Sequence, residues 1–348
     1  METKQETKLR LSVASSPHAS SPIGTRSLMK DVVIALTPAL AMAVYQFGPR
    51  ALALTAVSAA ACVFFEWAYR KLMKQSNTVG DLSAVITGML LAFVCPVSLP
   101  YWIVIIGDFF AIVVVKQLFG GLGKNFLNPA LAGRAFLMLS YPVEMTTWVL
   151  PGPNNWLSAL SNADAVSSAT PLSADFMHSG ILPKTELADM FLGSIGGCIG
   201  ETSALMLLVG AVYLLWHGVI RLRVPVAFMG TVAVLTFLFP RGGNEPLEWM
   251  LYELLSGGLI LGAFYMATDY VTSPATKRGE WIYGVGCGLL TVFIRYFGGY
   301  PEGVSYAILL MNLCAWLFDQ IGQPARFGVT KEMKQAAKIK ARAEKGGR

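Results

Sequence analysis

Apolar residues fall in ten blocks along the chain, at approximately 31–47, 51–68, 82–98, 101–117, 126–141, 190–216, 224–240, 250–268, 281–297 and 304–320. A helix needs roughly 20 apolar residues to cross a hydrocarbon layer about 30 Å thick, and fewer where polar flanks snorkel. The blocks therefore predict an all-α polytopic membrane protein of about ten transmembrane helices. The first block does not read as a cleavable leader. It follows thirty largely polar residues, it lacks a small-residue cleavage site, and further blocks follow closely.

Composition sharpens this picture. Hydrophobic residues make up 54% of the 348 residues and charged residues 14%, against about 25% charged in soluble domains. One soluble core cannot absorb that excess. The formal charge is +6, and residues 326–348 carry all of it, with eight Lys or Arg against two Glu. A basic tail on a neutral body does not describe a nucleic-acid-binding surface. The five cysteines, Cys62, Cys95, Cys198, Cys287 and Cys314, all sit in apolar stretches with no CxxC spacing. They read as small buried hydrophobes and argue against a disulfide framework or a four-thiolate metal centre. His18, His178 and His217 are isolated and form no metal-ligand spacing.

Basic residues set the orientation. Lys8, Arg10, Arg26 and Lys30 precede the first block. Arg70, Lys71 and Lys74 follow the second, Lys116 and Lys124 the fourth, Arg221 and Arg223 the sixth, Lys277 and Arg278 the eighth, and the basic tail the tenth. With ten spans all of these fall on one side. The connection at 142–189 has Lys184 as its one basic residue against Glu144, Asp164, Asp175, Glu186 and Asp189. The expected organisation is a cytoplasmic segment 1–30, a five-helix repeat 31–141, an extracytoplasmic loop 142–189, a second five-helix repeat 190–320 and a cytoplasmic tail 321–348. Trp67, Trp102, Trp148, Trp216, Trp249, Trp281 and Trp316 lie at or beside block ends, as an interfacial belt would place them.

The two halves share landmarks. Leu82-Ser83 and Leu255-Ser256 are each followed by a proline, Pro100 or Pro274, and Phe119-Gly120-Gly121 recurs as Phe297-Gly298-Gly299. Five spans per half would make the second copy face the other way, the pattern of inverted-repeat membrane proteins with sites near the midplane. Chance matching of Gly- and Leu-rich sequence is the competing account.

Two junctions are unlike plain loops. Gly120–Pro129 is rich in Gly and Asn and enters the fifth span, and Thr268–Pro274 leaves the eighth. Non-helical backbone at membrane depth survives where it lines a cavity or is buried in protein. Such stretches would offer donors and acceptors to a planar polar ligand; a tight turn with an N-cap at Asn128-Pro129 is the structural alternative. Asn125, Asn128, Asp269, Thr272 and Glu302 are the candidates from these polar junctions. Asp108 and Glu201 lie inside apolar blocks, as do Arg134 and Arg295. Ionisable groups there are costly, which makes Asp108 and Glu201 candidates for an ion pathway; structural pairing, such as Arg134 with a carboxylate, is the alternative. Glu66 and Asp269 lie near span ends, where solvation favours a structural reading.

The outer loop contains Asp164-Ala165-Val166-Ser167-Ser168-Ala169-Thr170-Pro171. Any polar loop can produce such a string, but here small side chains flank the Thr hydroxyl and an acid stands six residues before it. With Ser16-Pro17-His18, Gly120–Ala130, Tyr300-Pro301-Glu302-Gly303 and Met311-Asn312, the chain resembles the D subunit of the Rnf ion-translocating ferredoxin:NAD oxidoreductase over about residues 10–325. It is similar also to the B subunit of the sodium-pumping NADH:quinone reductase, whose longer N-terminal region favours the Rnf assignment here.

That resemblance implies FMN joined by a phosphoester to Thr170, with Asp164, Ser167, Ser168 and Ala169 as the motif read by a flavin transferase. It implies a second, non-covalent flavin, commonly riboflavin, within the membrane. It also implies the other Rnf subunits (A, B, C, E and G type) as partners, a bacterial or archaeal cytoplasmic membrane, and transport of Na⁺ or H⁺ driven by electron flow between ferredoxin and NAD. A covalent ester would keep a cofactor that faces an aqueous space from being lost, and a flavin exchanges one or two electrons. With no clustered thiolates or histidines, electrons would arrive from and leave to other subunits, so the chain is not expected to be active alone. The basic tail could contact anionic lipid or a peripheral subunit. A small-solute channel or transporter of inverted-repeat architecture is the competing class, and the modified threonine separates the two.

Overall fold

In the computed structural model of the chain, residues 24–151, 167–168, 172, 180–182, 185–201, 203–298 and 302–321 are described. Helix α1 (Thr25–Phe47) ends at Gly48, whose φ of 81° turns the chain straight into α2 (Pro49–Leu72) with Pro49 in its first turn. There follow α3 (Ser83–Phe93), α4 (Tyr101–Phe109) running on as a π-helical stretch Phe110–Gln117, α5 (Pro129–Ser140) and the single turn α6 (Pro142–Met145). A minimal antiparallel pair joins β1 (Trp148–Val149) to β2 (Ser167–Ser168) in the register Trp148↔Ser168 and Val149↔Ser167.

The second half comprises α7 (Leu187–Leu192), α8 (Ala204–Trp216), α9 (Arg223–Leu238), α10 (Pro246–Leu255) and α11 (Leu259–Leu261), which continues π-helically through Gly262–Met266. Helices α12 (Lys277–Phe297) and α13 (Val304–Ile321) complete it. Helices α1, α2 and α13 are each long and apolar enough to cross a membrane, and α10 with α11 forms a further such stretch bent by 66°. The chain is an all-α integral membrane protein.

Three blocks that hydropathy predicts as continuous helices are interrupted. Block 82–98 is a short α3 followed by non-helical backbone, block 190–216 is non-helical between α7 and α8, and block 250–268 breaks at Ser256–Gly258. In lipid each freed N–H and C=O costs several kcal/mol unless paired, and here two devices pair them. The first is mutual. The stretch after α3 meets the stretch before α8 in an isolated antiparallel bridge, Pro96 with Cys198. The Gly200 amide donates to Phe93 O at 2.8 Å and the Ile199 amide to Cys95 O at 3.1 Å.

The second device is a buried arginine at each of two breaks. Arg50 at the start of α2 donates from Nε to Val97 O at 2.9 Å and from Nη2 to Leu99 O at 3.1 Å. Arg295 in α12 is 1% exposed; it donates to Glu253 O at 2.7 Å, Ser256 O at 2.9 Å and the Glu253 carboxylate at 2.7 Å. The break at α10 itself needs Gly257, whose φ of 65° lies in the left-handed region.

Around these breaks the bundle packs through close-approaching helices. Helix α12 lies on α9 and α13, α2 on α3 and α4, α1 on α8, and α5 on α13. A Cβ at Gly284 or Gly288 of α12 would stand 2.6 Å from Ala227 Cβ or Thr231 Cβ of α9, so these two glycines set that spacing.

Trp67, Trp102, Trp216, Trp281 and Trp316 are exposed, as an interfacial tryptophan belt requires. It fails at Trp249 and Trp148, which are 0% and 6% exposed. The Trp249 indole N–H donates to the Tyr296 hydroxyl at 2.8 Å, so this ring fills the core and satisfies its polar atom there.

Replacing Arg295 by Met removes one partner of a buried pair together with the donors for three backbone carbonyls, those of Glu253, Ser256 and Glu302. The expected loss of stability is about 3–5 kcal/mol. Arg221→Ala, at a guanidinium that is 67% exposed beside Glu280, costs under about 1 kcal/mol. Denaturant unfolding of both variants in one detergent measures the difference; equal losses would contradict the role given to Arg295.

Candidate functional site

The two polar junctions singled out in the sequence come together in one cavity. Asn128 caps α5, its Oδ1 accepting from the amides of Ala130 at 3.1 Å and Leu131 at 3.4 Å, with Pro129 in the first turn. It also lines a cleft, open to solvent on one side, with Asn125 and Asp269. The cap and the cavity-lining role, alternatives in the sequence, are both present. Leu28, Val32, Ile86, Leu90, Leu214 and Phe264 form apolar walls, while Ser83, Thr87, Lys116, Asn125, Asn128 and Asp269 supply polar groups.

Asp269 is held in place. Its carboxylate accepts from the Thr272 hydroxyl at 3.1 Å and the Val271 amide at 3.4 Å. Thr272 is thus behind Asp269 and braces it. The Asn125 Nδ2 donates to Leu127 O at 3.0 Å, while its Oδ1 is buried with no hydrogen-bond partner. An orphaned buried acceptor beside an apolar slot fits a flat ring system with donors along one edge, because an unsatisfied buried polar atom costs about 1–3 kcal/mol.

Lys116 supplies a cation to the same cavity. Sequence reasoning places it in a basic connection beyond the fourth span; it is 2% exposed. Its Nζ donates to Glu66 Oε2 at 2.8 Å and Ser83 Oγ at 2.6 Å, and Glu66 Oε1 accepts from the Thr78 hydroxyl at 2.6 Å. Glu66 is 1% exposed, so the solvated reading of this residue is also replaced by a buried ion pair. Lys116 precedes the first Phe-Gly-Gly by three residues and Arg295 the second by two. That repeated context was the available signal for Lys116.

Glu302 stands apart from the cavity. It pairs with Arg134 of α5, whose Nη1 donates to Ser305 Oγ at 2.6 Å. Glu201 joins this second cluster, its Oε1 accepting from the Cys198 amide at 3.1 Å. Asp108 forms a third buried site between α2 and α4, where Oδ1 accepts from Ser58 Oγ at 2.6 Å and Cys62 Sγ at 3.2 Å and Oδ2 has no partner.

Asp164, Ala169 and Thr170 lie outside the described residues, and only the backbone of Ser167 and Ser168 is described. That backbone is pinned to Trp148–Val149, and Leu172, two residues beyond Thr170, is fully buried in the core.

A family model for the NQR2, RnfD, RnfE family matches residues 12–328. The chain is 47% identical over 332 residues to the D subunit of the Na⁺-translocating ferredoxin:NAD⁺ oxidoreductase complex of Acetobacterium woodii, covering 94% of this chain and 99% of the relative. It is 42% identical to the D subunit of the proton-translocating ferredoxin:NAD⁺ oxidoreductase complex of Clostridium ljungdahlii, at 92% and 96% coverage. It is 35% identical to the D subunit of the ion-translocating oxidoreductase complex of Actinobacillus succinogenes, at 90% and 96%. By this match over almost its whole length, the chain belongs to the NQR2, RnfD, RnfE family.

Proposed function

We propose that the chain is the D-type membrane subunit of an ion-translocating oxidoreductase complex that couples electron transfer between ferredoxin and NAD to movement of Na⁺ or H⁺. Near-full-length similarity to relatives carrying that name supports this reading more than any other observation. Its partners are the other subunits of the complex. Its two cofactors are FMN esterified to Thr170, with Asp164, Ser167, Ser168 and Ala169 as the motif read by a flavin transferase, and a second, non-covalent flavin in the cavity lined by Asn125, Asn128 and Asp269. A flavin supplies one- or two-electron redox chemistry.

The residues present suit the second flavin. Apolar walls take the ring faces, and the orphaned Asn125 Oδ1 accepts a ring N–H. Asp269, fixed by Thr272, accepts a hydroxyl or ring proton, and Lys116, paired with Glu66, closes the polar side of the cleft. Glu302 has no part in that site.

The architecture is read as two five-helix repeats of opposite orientation, ten spans in all, with both ends cytoplasmic and the 142–189 loop extracytoplasmic. Matching buried clamps support the repeat relation between the halves. In one half Lys116 joins Glu66 to Ser83 of the Leu82-Ser83 pair, and in the other Arg295 joins Glu253 to Ser256 of the Leu255-Ser256 pair. Asp108 and Glu201 are assigned to ion movement, because each is a buried carboxylate with one oxygen unpartnered.

Thr170→Ala is expected to abolish flavin fluorescence of the denatured polypeptide and leave membrane insertion intact; retained covalent flavin would place the ester elsewhere. A wild-type band from native membrane that stays dark would instead favour a solute channel. Asn125→Leu removes one cavity hydrogen bond and should weaken the extractable flavin about tenfold without altering the Thr170 ester. Unchanged retention would exclude Asn125 from the site. In reconstituted vesicles Asp108→Asn is expected to lower the ions moved per electron while flavin content stays constant; unchanged pumping would make Asp108 structural.

A further inference from the structure

The cluster around Glu201 is not consumed by the cofactor cavity, and it holds a buried carboxylate oxygen with no partner. Oxygen atoms of Glu201 and Glu302 and the sulfur of Cys198 all lie within 4.8 Å of one another, and all three residues are buried. Glu201 is 7% exposed, and its Oε2 has no hydrogen-bond partner. Gly197 and Gly258 stand against this carboxylate, where a Cβ would lie 3.0 Å from Oε1 and 3.3 Å from Oε2.

The charged groups facing the cluster are Arg134, which pairs with Glu302, and Arg295, which pairs with Glu253. Cys95 and Cys198 are the neighbouring thiols. Arg241 also faces Glu253, so both guanidiniums nearest the cluster are engaged by other carboxylates, and Glu201 has no ion pair of its own among the described residues. A buried charge without compensation costs several kcal/mol, so one positive charge belongs here.

The geometry points to a site for a single monovalent cation, either Na⁺ or a proton, held by Glu201 Oε2 with the Glu302 carboxylate opposite. This deepens the ion-translocation reading above and rests on it, but not on either flavin. A divalent ion is disfavoured because it would set two positive charges against one unpaired carboxylate beside the Arg134 guanidinium. A soft metal is disfavoured because it needs a thiolate, whereas the Cys198 thiol has acceptors for its proton in Val94 O at 3.2 Å and Glu302 Oε1 at 3.6 Å. The site sits where the stretch before α8 crosses the stretch after α3, at the contact between the two halves of the chain.

The test uses the purified complex in nanodiscs, with ²²Na⁺ binding, infrared carboxyl spectra and flavin content measured on wild type, Glu201→Gln, Glu201→Asp and Cys198→Ser. For Na⁺, wild type binds one equivalent more than Glu201→Gln, Glu201→Asp binds about tenfold more weakly, and Cys198→Ser binds within threefold of wild type. For a proton, sodium binding is equal throughout, and a protonated-carboxyl band present in wild type is missing from Glu201→Gln. Either pattern supports the site. Unchanged sodium binding together with an unchanged carboxyl band in Glu201→Gln overturns it. So does displacement of the bound ion by equimolar Mn²⁺, or its loss in Cys198→Ser. If Glu201→Gln does not assemble, Glu201→Asp decides: sodium affinity and carboxyl band both identical to wild type also overturn the site. Absence of flavin from the wild-type complex would sink the cofactor reading and leave this result standing.

Discussion

Backbone amides and carbonyls cannot be left unpaired in a hydrocarbon layer, and most of this fold follows from how three interrupted helices meet that demand. A continuous helix pairs its own backbone. Here the stretches after α3, before α8 and between α10 and α11 give up that pairing. The first two then bond to each other through Phe93, Cys95, Ile199 and Gly200. Arg50 and Arg295 cover carbonyls that remain. The breaks are stable only because distant parts of the chain supply their partners, which also fixes how the halves meet.

The interruptions free space and polar groups for function. Helix α5 links the cavity to the charge cluster: Asn128 at its first turn lines the one, and Arg134, six residues on, anchors the other. At 1.5 Å per residue these lie about 9 Å apart along one rigid element. In the proposed reading, a charge change on a flavin in the cavity is felt at the carboxylates beyond it through the low-dielectric bundle. This gives the proposed coupling of redox state to ion occupancy a short physical route.

The sequence carried the helical class and the approximate positions of α1, α2, α9, α12 and α13, because long apolar runs report lipid exposure directly. It also carried Asn125, Asn128 and Asp269 as one set, since polar residues in apolar surroundings need a reason. The breaks were invisible to hydropathy. Their residues are as apolar as a helix interior, and the partners that permit them, Arg50 and Arg295, are tens of residues away. Lys116 and Glu66 read as interfacial charges because one-dimensional position cannot show that they bury each other. Glu302 was grouped with the cavity by its polar neighbourhood, yet its charge partner Arg134 holds it elsewhere. Trp249 and Trp148 sit at span ends like the belt residues, and only packing shows that they face inward.

The most direct test of the account is a high-resolution cryo-electron microscopy map of the intact complex from its native membrane. The predicted map has flat tricyclic density in the cleft between Asn125, Asn128 and Asp269, with the chain broken at Ser256–Gly258 and the Arg295 guanidinium against its carbonyls. A helix running unbroken through Gly257, with the cleft closed or filled by a lipid tail, would contradict it.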